Sequence, residues 1–72
     1  MPLRNIRNRP VRSAAIAIEM ENAIFDDDQD AQYEVARILK ELAERIIRDG
    51  LSDAIGLFDQ NGNRVGQMSV VR

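Results

Sequence analysis

Residues 54–71, AIGLFDQNGNRVGQMSVV, decide the architecture of this chain. Two apolar-rich runs, Ala54–Phe58 and Arg64–Val71, flank Asp59-Gln60-Asn61-Gly62-Asn63, and an Asn-Gly pair between alternating runs is the strongest short-range hairpin signal. Asn and Gly accept the positive φ of a tight turn, and the Asp59 carboxylate is placed to bond turn amides. Setting Asp59 opposite Arg64 puts Ile55 and Leu57 on one face with Gly66, Met68 and Val70, a self-consistent register. Phe58 and Val65 then fall on the opposite face. The same loop superficially suggests a calcium site, but its glycine is fourth where such loops need it sixth. The twelfth position, which needs a bidentate glutamate, is Val70.

Upstream of the hairpin the period changes from two to 3.6. Val35, Leu39, Leu42 and Ile46 recur at spacings of four, three and four, with Ala36, Ile38, Ala43 and Ile47 beside them and charged residues on the remainder. This is an amphipathic helix over about residues 30–49. The run DDDQD at 26–30 suits its amide-bearing, dipole-positive start. Gly50 supplies the stop, with Leu51 available for a Schellman contact. Before it, Ala14, Ile16, Ile18 and Met20 alternate with Ala15, Ala17, Glu19 and Glu21, the pattern of a half-buried strand. The expected fold is therefore α+β, a single β-α-β-β domain over residues 13–72 with the helix packed on a three-stranded sheet. Its core places Val35, Leu39, Leu42 and Ile46 against Ile16, Ile18, Leu57 and Met68. Residues 1–12, MPLRNIRNRPVR, show neither period and read as a mobile basic arm. A ribbon-helix-helix repressor also runs strand then helix, but it needs a second helix where this chain has its hairpin signal.

With 72 residues the core must be thin, and small domains usually compensate with disulfides, a metal or oligomerisation. The chain has no cysteine and no histidine, so disulfides, zinc fingers and histidine acid–base chemistry are all excluded. Self-association, as a homodimer, becomes the default expectation. No apolar run reaches the roughly 18 residues of a membrane span, which predicts a cytoplasmic protein with no membrane partner. The net charge of −2 hides a division: Arg4, Arg7, Arg9 and Arg12 precede every acid, whereas the rest of the chain holds six basic and twelve acidic residues. A basic arm joins an acidic body.

Asn22-Ala23 with Phe25, then residues 34–43, EVARILKELA, then Asp59 with Asn61-Gly62-Asn63 and Val65-Gly66 form an ordered combination. It resembles a group of small bacteriophage and prophage proteins, over about residues 15–70. The resemblance implies a phage or prophage origin and a setting in the host cytoplasm. It brings no activity and no catalytic residue. The arginine-rich arm and the longer acidic stretch depart from the group's pattern.

Three candidate interaction features follow. Arg4, Arg7, Arg9 and Arg12 suit a phosphate backbone, but no aromatic residue accompanies them to stack a base, and the acidic body opposes nucleic acid. Asp26, Asp27, Asp28 and Asp30 suit a divalent ion or a phosphate mimic, against the plainer role of a capped helix start. Phe58 and Val65, with Val71, Ala15 and Ala17, suggest an apolar strip on the uncovered sheet face. Catalysis has no support: Ser13, Ser52 and Ser69 lack an activating base, no phosphate loop is present, and neither cofactor nor metal is expected. The leading expectation is a non-catalytic phage interaction module with a protein partner. Its alternatives are an inhibitor that uses the acidic run as a phosphate mimic, and a nucleic-acid accessory factor that uses the arm.

Overall fold

The computed structural model describes residues 10–72. Arg4, Arg7, Arg9 and most of the expected arm therefore lie outside the described residues. In order come β1 (Ser13–Ile18), a single 3-10 turn (Ala23–Phe25), α1 (Asp28–Asp49), β2 (Ala54–Phe58) and β3 (Arg64–Val71). The sheet order is β1-β3-β2 and both pairings are antiparallel, so β3 is central and the other two strands are edges.

The hairpin forms as its turn chemistry dictates. Asp59 N–H donates to Asn63 O at 2.9 Å, Gly62 N–H donates to Asp59 O at 3.0 Å, and Gly62 takes φ 84°. Ile55 pairs with Met68 and Leu57 with Gly66, as the alternation predicts, but the register then slips so that Phe58 faces Arg64. That bulge corrects the expectation for Val65. Two residues of β3 oppose one of β2 there, which bends the strand and turns Val65 into the core, where it is 5% exposed.

Helix α1 also sits differently from the simple stripe. Its buried residues are Ala31, Glu34, Ile38 and Leu42, while Leu39 is 39% exposed. The cause is on the other flank: Arg37 donates to Phe58 O at 3.1 Å and Arg45 to Gly56 O at 2.7 Å. These two anchors roll the helix towards β2. An apolar arc as broad as Val35, Ile38, Leu39, Leu42 and Ile46 permits the rotation, because period alone sets a face only to within about one position. The core joins Ile38 and Leu42 to Phe25, Ala31, Ile55, Leu57, Val65 and Met68, with Ile18, Val35, Ile46 and Val70 at its margin.

Both helix ends are specified locally. Asp27 accepts from Gln29 N at 2.8 Å and Asp30 N at 3.3 Å. At the far end Gly50 has φ 88° and ψ 178°, a glycine-only region outside the left-handed well, so the expected Schellman cap is replaced by an extended exit. The 3-10 turn, which buries Phe25, has no counterpart in the periodicity.

Candidate interaction surfaces

The buried polar groups cluster where α1 meets the hairpin turn. Glu34, which the stripe assigns to the charged face, is buried, and its carboxylate accepts from Gln60 N at 2.8 Å and from Arg37 through two bonds of 2.9 and 2.8 Å. Arg37 reaches on to Glu41 at 2.7 Å. Asp59 accepts from Asn61 N and Asn63 N, both at 2.9 Å, and from the side-chain amides of Asn22 at 2.8 Å and Asn63 at 3.2 Å. The side chain of Asn22 thereby ties the segment before α1 to the turn.

The hydrogen bonds from Arg37 above all, then the Gln60 amide, hold Glu34 below the ordinary carboxylate range despite its burial. Arg37 is raised in return, chiefly by Glu34. Burial pushes the Asp59 carboxyl up, but the bonds from Asn63, Asn61 and Asn22 outweigh it and leave the group lowered. Both carboxylates are thus held ionised by fixed donors, the reverse of a group poised to exchange a proton. An open cleft of about 450 Å³ lies over Ile24, Asp30, Tyr33, Glu34, Arg37 and Gln60. Its Glu34 and Arg37 are already bonded to each other.

The acidic run divides. Asp27 is consumed as the N-cap, while Asp26, Asp28 and Asp30 point to solvent. Among the described residues no three carboxylates converge on a metal position. On the uncovered sheet face Phe58 is 44% exposed and lies beside Gly56, as expected for that side of β2. The expected apolar strip is interrupted, however. Arg64 donates to Gln67 Oε1 at 2.6 Å and Gln67 to Ser69 Oγ at 3.0 Å, so a polar ladder occupies the middle of this face.

The remaining surface is the flank of β1. Ile16 pairs with Met68 and so points to the helix side of the sheet, yet it is 48% exposed. Because α1 is rolled towards β2, no element among the described residues covers β1 beyond Ile18. Leu39 and the half-buried Val35 and Ile46 form the helix wall facing it, and Met20 is exposed at its end. The two sheet edges differ in kind. On β2 the outward carbonyls of Gly56 and Phe58 are taken by Arg45 and Arg37. On β1, Glu19 N–H donates inward to Val65 O, so the alternation of an antiparallel ladder turns Ala14, Ile16 and Ile18 outward. Among the described residues no group bonds to them. β1 carries no charge, no proline and no bulge, the devices that normally protect an edge.

Sequence reasoning missed Glu34, Arg37 and Arg45 as anchors, since each looks solvent-facing on a helical projection. The spacing of Glu34, Arg37 and Glu41 was the one available signal. No protein-family model matches the chain, and comparison with curated proteins and with solved structures finds no significant match.

Proposed function

We propose that this chain is a non-catalytic protein-interaction module of the phage or prophage kind its motif order resembles, acting in the host cytoplasm through the flank of β1. The observation that carries the reading is the contrast between edges: two outward carbonyls of β2 are taken by arginines, whereas β1 presents an uncharged strand, with no such bond among the described residues, beside an exposed apolar wall. Strand addition to such an edge supplies main-chain hydrogen bonds for affinity and alternate side-chain pockets for specificity. The buried carboxylates Glu34 and Asp59 serve the turn, which supports a binding role over a catalytic one. The acidic body opposes nucleic acid, and among the described residues no helix is long and apolar enough to cross a membrane.

Comparing capture by the tagged chain with capture by two variants tests this. Ile16→Lys should lose the captured protein, while replacement of Asp26, Asp27, Asp28 and Asp30 by asparagine should retain it. The reverse pattern would move the working surface to the acidic run and favour phosphate mimicry. Salt-sensitive binding of mixed-sequence DNA or RNA in a mobility-shift titration, abolished by deleting residues 1–12, would replace the proposal with the accessory-factor reading.

A further inference from the structure

The outward row of β1 has a geometry that one occupant satisfies through its own sequence. An antiparallel copy of β1, related by a two-fold axis normal to the sheet, keeps both helices on the same side and brings like faces together. Such an axis pairs only residues of the same parity. The register that aligns all three outward residues sets Ile16 against Ile16 and Ala14 against Ile18, each pair exchanging both backbone bonds. Ala15 then faces Ala17, so the far side of the seam is made of small residues and presents no steric conflict.

The charges at the strand ends are complementary in this orientation alone. β1 is entered from a basic side: Arg12 precedes it, and the sequence before that holds Arg4, Arg7 and Arg9 with no acid. It exits into Glu19 and Glu21, followed by the run at 26–30. Antiparallel pairing brings the basic entry of each strand, at Arg12, alongside the acidic exit of its partner, at Glu19 and Glu21, at both ends of the seam. A parallel pairing would bring like charges together. The strand centre, Ser13–Ile18, is neutral, so nothing in it opposes a second copy.

We infer that the occupant of the β1 edge is a second copy of this chain, joined by antiparallel β1–β1 pairing into a continuous six-stranded sheet with Ile16 on the axis. The inference rests on the edge reading of the preceding section and names its partner. The two-fold places the Ile16 pair on the helix side of the joined sheet, between the two helices. The pairing removes the β1 edge from both copies and leaves at the ends of the sheet the β2 edges, where Arg37 and Arg45 already take the Phe58 and Gly56 carbonyls.

Sedimentation velocity on the full chain over a concentration series should show a dimer, and Ile16→Lys, which opposes two like charges across the axis, should weaken it by about tenfold or more. Ile16 is half in water, so the variant should keep the helical circular dichroism of the parent. The chain lacks cysteine, which permits a direct register test. Hydrogen-bonded antiparallel partners lie about 5.5 Å apart at Cα, within disulfide range. Ile16→Cys should therefore cross-link on mild oxidation, while Ile47→Cys, on the outer face of α1, should not. A wild-type chain that stays monomeric throughout the series overturns the inference, as does a dimer that survives Ile16→Lys or cross-links through position 47 and not 16. Should the chain be monomeric while Ile16→Lys still abolishes capture of another protein, the self-pairing falls and the edge reading stands.

Discussion

Truncating Ile38 and Leu39 separately to alanine distinguishes the two faces that α1 could have buried. Ile38 is 2% exposed and central to the core, so its truncation removes buried carbon and leaves a cavity. The general range for such a change is about 2–5 kcal/mol, and the cost rises where the surroundings cannot collapse. Here α1 is held to β2 by Arg37 and Arg45 on either side of Ile38, which resists collapse and points to about 3 kcal/mol. The higher helix propensity of alanine returns about 0.5 kcal/mol or less. Leu39 already has 39% of its surface exposed, and its truncation should cost about 1 kcal/mol. A domain of 72 residues has a total stability of about 4–11 kcal/mol, so Ile38→Ala removes a large part of it. With a urea dependence of about 1 kcal/mol per molar, the midpoint should fall by about 2–3 M for Ile38→Ala and by about 1 M or less for Leu39→Ala. Urea titrations at low protein concentration keep self-association out of the comparison. A shift for Leu39→Ala equal to or larger than that for Ile38→Ala would refute the rotation of the helix towards β2.

The turn clasp gives a second mutational test: Glu34→Gln keeps the size of the side chain but removes its charge, and should cost about 1.5–3 kcal/mol in a urea titration by weakening the bonds from Arg37 and Gln60 N. A wild-type midpoint would show the clasp to be dispensable. Glu34 and Asp59 are both lowered in the fold, so the stability they contribute is complete above their unfolded-state values of about 4 and is lost as pH falls through the lower folded values. A midpoint that is flat from about pH 7 to about pH 3 would contradict this assignment. A methyl group added at Gly66 would overlap the Ala17 carbonyl, so Gly66→Ala should force β1 away from β3, and unchanged amide protection along residues 13–18 on hydrogen exchange would count against that close approach. Asp27→Ala should cost about 1 kcal/mol of thermal or urea stability through loss of the bonds to Gln29 N and Asp30 N.

What the sequence made legible, and what it did not, follows the range of the forces involved. The hairpin was readable because Asp59, Asn61, Gly62 and Asn63 act on backbone within a few residues, and the helix limits because Asp27 and Gly50 do the same. The bulge that buries Val65 was not, since one extra residue leaves no mark on the alternation of either strand. Neither was the rotation of α1, because the anchors Arg37 and Arg45 reach carbonyls 21 and 11 residues away. The alternation of β1 is a different case. Ala14, Ile16 and Ile18 carry the pattern of a buried face, yet within one chain only Ile18 reaches the margin of the core, since the helix that should cover them is drawn to β2. An alternating pattern records that a face is kept apolar; it does not record which surface covers it. The pattern and the single-chain structure disagree at Ala14, Ile16 and Met20, all exposed, and the two-fold pairing proposed for β1 would remove the largest part of the disagreement by placing Ile16 at the centre of an interface.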